Sequence, residues 1–256
     1  MSKLLSPDSS RFSRPAGATS QADAVSERYR HGSPAELVAD MEAIVGAENV
    51  HGRLSDLVRF SSDAGPYRSI PNMVVSPRNA ADLAALMKYC DSHGRHMTFR
   101  AAGTSLNGQA MGDDILVDVK THFGGMEVRE EGRKLWSRPG VILGDAQAVL
   151  SRHGFMLGPD PGSTSVCTIG GVLADNSGGM RCSLERDSYH SIEELIFVLP
   201  SGTIVDTSRG DEAFRKQEPK LHADLLAFRD KLRANTEMVE FLRTKFSICL
   251  LYTSDA

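Results

Sequence analysis

Cysteine is scarce and widely spaced in this sequence, which removes several classes of cofactor site. None of the four cysteines forms a Cys-x-x-Cys pair: they are Cys90, Cys167, Cys182 and Cys249. Zinc ribbons, thioredoxin-type motifs and iron–sulfur loops all need closely spaced cysteines, so none of these is predicted within the 256 residues. The cysteines are expected to be free thiols.

The sequence also lacks an excess of positive charge and any long apolar run. It has 29 Lys and Arg against 33 Asp and Glu, a formal net charge of −4, which argues against binding nucleic acid over a basic face. No run approaches the roughly 20 apolar residues that cross a bilayer, and no apolar signal segment opens the chain. We predict a cytoplasmic protein, with peripheral attachment to the inner membrane as the alternative, and no nucleic-acid partner.

The pattern of residues divides the chain into five segments. Residues 1–32 are rich in Ser and show no apolar period, so they are predicted to be a disordered tail. A helical lead-in covers 33–67, where Ser33-Pro34-Ala35-Glu36 reads as a capping box and Gly46 as a helix stop. Residues 68–210 mix helices with strands, 211–247 are helical, and 248–256 look like a foreign tail on a truncated chain.

Two lobes are predicted within residues 68–210, which makes the fold class α+β. The first lobe is a strand, a helix and a strand; the second has a helix and a more antiparallel sheet. The predicted first-lobe elements are strand Asn72–Val75, a helix capped by Ser76-Pro77 that ends near Gly94, strand Met97–Arg100 and the apolar run Ile115–Val119. Those of the second lobe are strand Lys134–Ser137, helix Leu143–His153 and the hairpin Leu195–Leu199 with Thr203–Thr207.

Glycine is concentrated between Gly103 and Gly179, which hold 15 of the 23 glycines. The first cluster, Arg100–Ala110, lacks the Lys-Ser/Thr of a P-loop, and the chain has no Gly-x-Gly, so a Rossmann fingerprint is absent. Small residues there would let backbone N–H groups approach an anion. By itself the loop leaves an anion cradle and ordinary turn chemistry equally open.

The second cluster is longer and favours a larger ligand. It comprises Pro159–Ser163, Thr168–Gly171 and Asn176–Gly179, with two Gly-Gly pairs eight residues apart. Such a series makes an extended surface rather than a single turn. A dinucleotide fits that surface better than one phosphate.

These motifs, in this order and spacing, resemble the FAD-binding domain of the family that includes vanillyl-alcohol oxidase and p-cresol methylhydroxylase. Within that family the chain is most similar to bacterial flavin-dependent D-lactate and glycolate dehydrogenases. The resemblance covers residues 68–210 and implies a two-lobed FAD-binding domain of the p-cresol methylhydroxylase type there.

The resemblance also implies which residues hold the flavin. One loop would wrap the pyrophosphate and continue towards the ribityl chain: Ala101, Ala102, Gly103, Thr104, Ser105, Asn107 and Gly108. The other side would be lined by Pro161, Gly162, Ser163, Thr168, Ile169, Gly170, Gly171, Asn176, Ser177, Gly178 and Gly179. Relatives with covalent flavin place His near the position of Thr104, and no His lies between His96 and His122, so FAD is expected to be noncovalent. Ala101 and Ala102 replace glycines common in the motif, which narrows the loop.

The function implied by the resemblance is oxidation of a small D-2-hydroxy acid, of the D-lactate type. Hydride passes to flavin N5, a base takes the hydroxyl proton, and electrons leave to a cytochrome, a quinone or an iron–sulfur module. The base, the substrate arginine and any metal ligands belong to a cap domain after residue 247, so no catalytic or metal-binding residue is predicted here. Similarity to long bacterial proteins implies an iron–sulfur cluster downstream, and this fragment alone is expected to be inactive. The alternatives are a glycolate or D-2-hydroxyglutarate dehydrogenase of the same family, or a noncatalytic nucleotide-phosphate binding module.

Overall fold

A computed structural model describes residues 27–183 and 186–246. Within those ranges the strands are β1 Val50–His51, β2 Met73–Val75, β3 Met97–Arg100, β4 Ile115–Asp118, β5 Met126–Arg129, β6 Lys134–Ser137, β7 Ile196–Val198 and β8 Ile204–Asp206. The α-helices are α1 Ala35–Val45, α2 Leu54–Arg59, α3 Ala80–His93, α4 Leu143–Ser151, α5 Ile169–Asp175, α6 Ser188–Ser191, α7 Gly210–Gln217, α8 Pro219–Ala234 and α9 Thr236–Phe246. This mixture is α+β, as predicted; the tail predicted at 248–256 lies outside the described residues.

A four-stranded sheet, in the order β1-β2-β4-β3, organises the first lobe. Strands β2, β4 and β3 run parallel, and β1 pairs antiparallel with β2. Every residue of β2 and β4 is buried, which explains the apolar runs 73–75 and 115–117, since a strand covered on both faces has no polar side. The parallel strands bring their carboxyl ends to one edge of the sheet.

Helices cover both faces of this sheet. On one face, α1 and α3 bury Met41 and Leu86 against Val75. On the other face, Leu57 of α2 and Tyr29 pack against Val74. The lead-in at 33–67 is therefore part of the core, and its strand β1 extends the sheet.

Tyr29 corrects the predicted extent of the disordered tail. It belongs to a 3-10 turn, Glu27–Tyr29, its side chain is 5% exposed, and its hydroxyl donates to the Ile70 carbonyl over 2.7 Å. Residues 27–32 thus have a defined structure because an aromatic ring is buried there. The rest of the predicted tail, residues 1–26, lies outside the described residues.

The predicted starts of α1 and α3 were wrong, whereas their predicted stops and the predicted start of α4 at Leu143 were confirmed. Pro34 is the N-cap of α1, because the Ser33 hydroxyl donates instead to the Asn72 carbonyl over 2.6 Å. Helix α3 is capped by Asn79, whose side chain accepts from two backbone N–H groups, rather than by Ser76-Pro77. Gly46 and Gly94 end α1 and α3 with positive φ values of 86° and 60°.

The second lobe contains two separate hairpins rather than one antiparallel sheet. Strand β5 pairs with β6 and β7 with β8. A small core joins Leu143 of α4, Cys167 and Val172 of α5. The β7–β8 hairpin contacts α3 of the first lobe, and a Cβ placed on Gly202 in its turn would lie 2.9 Å from the Ala84 carbonyl oxygen. None of the described helices is both long and apolar enough to cross a membrane.

Burial should make the cysteines of the described region poor nucleophiles. Cys90, Cys167 and Cys182 are buried free thiols, and burial raises the pKa of Cys90 to about 11 and also raises that of Cys167. A raised pKa keeps the thiol protonated from pH 7 to 9, where an exposed cysteine becomes a thiolate. In a Cys249→Ser background we expect an aromatic disulfide reagent to detect no fast thiol at pH 8, and three after denaturation. Two or more fast thiols in the native protein would contradict this.

Candidate functional site

The first glycine cluster forms a loop at the carboxyl edge of the parallel sheet. It begins where β3 ends, at Arg100, which is paired in register with Asp118 of β4. Residues 101–105 are half-buried, and Gly103 and Gly108 have φ values of 72° and 81°, in the region that favours glycine. Ligands of open parallel sheets bind outside this edge.

A series of backbone N–H groups in this loop has no acceptor within the described part of the protein. It includes those of four consecutive half-buried residues, Ala102, Gly103, Thr104 and Ser105. Half-buried N–H groups without partners are costly, and a series of them can be satisfied together by an anion. The Ser105 hydroxyl instead stabilises the loop, because it accepts from the N–H groups of Asn107 and Gln109 over 3.1 and 3.3 Å.

Arg100 places a positive charge beneath these amides. A Cβ added to Gly103 would lie 2.5 Å from Arg100 Nη2, so guanidinium and loop are in close contact. Arg100 Nη1 donates to three carbonyls, those of Ser62 over 2.8 Å, Ala110 over 3.3 Å and Phe60 over 3.5 Å. Among the described residues no carboxylate lies within ion-pair distance of it; burial lowers the pKa of its guanidinium, and the nearby carboxylates of Asp63 and Asp118 oppose this by raising it. A partly desolvated cation without a paired anion favours the approach of one.

The Thr168–Gly171 segment begins helix α5 and lies next to the loop. A Cβ on Gly171 would be 3.7 Å from Cβ of Ala101, which brings the two glycine clusters together. Thr168 is fully buried, and its hydroxyl caps the helix by accepting from the Gly171 N–H over 3.3 Å. The N–H groups of Ile169 and Gly170 bond to Val141 and Pro139, so this segment supplies close packing rather than a series of free amides.

The two remaining predicted segments are joined through Asp160. Its N–H donates to the Gly178 carbonyl over 3.1 Å, and a Cβ on Gly179 would lie 2.6 Å from its carbonyl oxygen. The segment Pro161–Ser163 follows at once, and Gly162 faces open space. The Ser163 carbonyl accepts from the Cys167 N–H over 2.8 Å, which links this segment to the start of α5.

The residues Asn176 and Ser177 are largely occupied by internal bonds. Asn176 ends α5 in the left-handed region, its amide donates to Asp187 over 3.4 Å and accepts from the Tyr189 N–H over 3.1 Å. The Ser177 hydroxyl donates to Asp175 over 2.8 Å. The four predicted segments thus meet around α5, and among them the longest series of backbone N–H groups without an acceptor in the described residues lies in the loop after β3.

Sequence reasoning missed two parts of this region. Arg100 opened the quoted motif but was not assigned to the site, although its position at a strand end beside a glycine loop is a signal for anion binding. The segment from Phe60 to Tyr67 contacts the loop and carried no motif at all. No group of three or more His, Cys, Asp or Glu side chains that could hold a metal occurs in residues 27–183 and 186–246.

Comparison with known proteins decides the family. Residues 71–208 match the family described as FAD binding domain, a span that covers more than half of the chain. The chain belongs to this family. The loop after β3, Arg100 and α5 all lie within the matched residues.

Three curated relatives are named for 2-hydroxy acid enzymes. The chain is 32% identical over 170 residues to glycolate oxidase subunit GlcD of Bacillus subtilis, covering 64% of this chain and 36% of that protein. It is 27% identical to D-2-hydroxyglutarate dehydrogenase of Pantoea ananatis, covering 60% and 15%, and 28% identical to D-lactate dehydrogenase of Archaeoglobus fulgidus, covering 59% and 35%. The chain therefore spans about a third or less of the length of these relatives.

Solved structures show the same fold. p-Cresol methylhydroxylase with substrate bound superimposes with a TM-score of 0.56 over 68% of this chain and 36% of that one, at 15% identity. The predicted FAD-binding fold of the p-cresol methylhydroxylase type is confirmed.

Proposed function

We propose that this chain binds FAD noncovalently through the loop after β3. The observation that carries the proposal is the row of four unpaired N–H groups from Ala102 to Ser105 above the guanidinium of Arg100. Donors and charge of this kind suit a pyrophosphate, which carries two negative phosphates close together. The residues present therefore fit the cofactor of the family.

Each side of the site has a different task in this proposal. The loop amides bind the pyrophosphate, and Arg100 holds the loop in shape while it balances the negative charge. Gly171 allows α5 to approach Ala101, and Gly162, which faces open space, would line the far side of the cofactor together with Gly178 and Gly179. Thr104 carries no imidazole for attachment to the flavin ring.

We further propose that the intact protein oxidises a small D-2-hydroxy acid of the D-lactate type. FAD, when bound, supplies the acceptor for the substrate hydride. Support comes from the names of the three relatives, which point equally to glycolate, D-2-hydroxyglutarate and D-lactate. Electrons would pass to a cytochrome, a quinone or an iron–sulfur module in the cytoplasm or at the inner membrane. Rates of the full-length enzyme on all three acids, with each acceptor, distinguish these possibilities.

The first experiment is a visible absorption spectrum of the chain after incubation with FAD and desalting. We expect flavin bands that stay with the protein and that appear in the supernatant after acid precipitation, because no covalent bond holds them. Colour in the pellet would contradict noncovalent binding. A folded but colourless sample would overturn the flavin proposal, and ADP competing as strongly as FAD would favour a nucleotide-phosphate module.

A further inference from the structure

A segment upstream of the recognised family residues forms a wall beside the glycine loop. It runs from Phe60 to Tyr67, before the matched span begins at residue 71. The Ala64 N–H donates to the Gly103 carbonyl over 3.0 Å, and the Ser62 carbonyl accepts from Arg100 over 2.8 Å. We call residues 60–67 the upstream wall.

The upstream wall fits the loop too closely to be a passing connection. A Cβ placed on Gly65 would lie 2.5 Å from the Leu106 carbonyl oxygen, so only glycine allows this approach. The ring of Phe60 lies under the Arg100 guanidinium, 5.5 Å from centroid to Cζ. Asp63 adds a carboxylate oxygen, Oδ2, that is buried and unpartnered among the described residues. The wall is thus built onto the loop along most of its length.

Tyr67 stands at the end of this wall and has its ring against the loop. Its Cδ2 atom is 3.6 Å from the position of a Cβ on Gly108, yet the side chain is 57% exposed. Leu106, also on the loop, is exposed as well. A large aromatic ring beside a phosphate-binding loop, with most of its surface uncovered, suits a planar partner, because stacked rings gain both buried area and favourable electrostatics.

We propose that Tyr67 packs its ring against one ring system of the bound dinucleotide and so completes the site from outside the recognised domain. This rests on the proposed function, since it requires that the loop amides hold the pyrophosphate. FAD carries one ring system on each side of its pyrophosphate, adenine on one and isoalloxazine on the other, so the ring that packs against Tyr67 is one of these two. Both are flat heteroaromatic systems, and the same contact serves each.

The test measures the affinity of Tyr67→Ala, Tyr67→Phe and Phe228→Ala for FAD, followed by quenching of flavin fluorescence. Tyr67→Ala should raise the Kd of FAD about tenfold, within the range found when a stacking aromatic is removed. Tyr67→Phe keeps the ring and should stay within about twofold of the original protein. Phe228, on α8, is 59% exposed and serves as the matched control, with no expected change.

Competition with ADP, with riboflavin 5′-phosphate and with inorganic pyrophosphate separates stacking from an effect on loop shape. Tyr67→Ala should weaken either ADP or riboflavin phosphate, which identifies the ring, and should leave pyrophosphate unchanged. Equal weakening of all three would overturn the proposal, because Tyr67 would then act on the anion site. Unchanged FAD affinity would overturn it as well. Failure of the unaltered protein to bind FAD would instead count against the proposed function.

Discussion

Replacement of Gly103 by Val is expected to raise the Kd of FAD by on the order of a hundredfold, which corresponds to about 3 kcal/mol. The new Cβ would lie 2.5 Å from Nη2 and 2.8 Å from Cζ of Arg100. The guanidinium cannot yield freely, because it donates to carbonyls of both the upstream wall and the loop. Breaking one or two bonds of a charged donor costs about this much. Equilibrium titration with FAD measures the effect.

Gly94→Val is the matched control for Gly103→Val. Gly94 also has a positive φ, 60° against 72°, but a Cβ there meets nothing within 4 Å. Both variants pay a backbone cost of roughly 1–2 kcal/mol for a side chain in the left-handed region. Only Gly103→Val should lose FAD. Equal affinities in the two variants would mean that the loop after β3 is not the binding loop.

Gly170→Val should unfold at a temperature roughly 4–10 °C below the unaltered protein, even without FAD. A Cβ on Gly170 would lie 2.5 Å from Pro139 Cβ and 3.1 Å from its Cα and carbonyl oxygen. Backbone atoms cannot rotate away, and the same carbonyl accepts from the Gly170 N–H over 2.9 Å. The helix propensity of Val exceeds that of Gly by under about 0.5 kcal/mol, too little to offset the clash. Thermal unfolding followed by circular dichroism measures the shift.

Gly162→Val provides the comparison for stability. Gly162 faces open space and its φ lies outside the left-handed region, so the melting temperature should remain within about 2 °C. If Gly170→Val melts like Gly162→Val and loses only FAD, Gly170 faces the ligand rather than Pro139, and the assignment of packing to this segment is wrong.

For α1 and α3, local sequence patterns predicted the end of the helix better than its start. A glycine after an apolar helix, as at Gly46 and Gly94, ends the helix by adopting a positive φ itself. This requires no contact with a distant part of the chain. A serine hydroxyl can cap a helix or bond elsewhere, and the folded chain decides. Ser33 and Ser76 both bond across the sheet, to Asn72 and Asp118, and neither caps its helix. Tertiary contacts override such weak preferences.

Part of the candidate site was also predictable, because glycine clusters are local sequence patterns. Glycine clusters reveal where the backbone must approach something closely, so the loop after β3 and the start of α5 could be located from sequence. Whether the close partner is a ligand or another part of the protein depends on the fold: Gly171 faces the loop, whereas Gly170 faces Pro139. The upstream wall was not predicted from sequence. Ala64 contacts the loop through a backbone hydrogen bond and Tyr67 through an exposed ring, and neither kind of contact produces a sequence motif.

Strand order has a consequence for when the loop acquires its shape. Ile115 of β4 pairs with Met73 on one side and with Met97 on the other, so β4 is inserted between two strands that precede it in the chain. Joining β2 to β4 closes a segment of 42 residues, from 73 to 115, which is slower than closing a hairpin. During synthesis β3 and its loop have no partner strand until residue 118 has been made. Cofactor capture must therefore come late in the folding of this lobe, after β4 has been inserted.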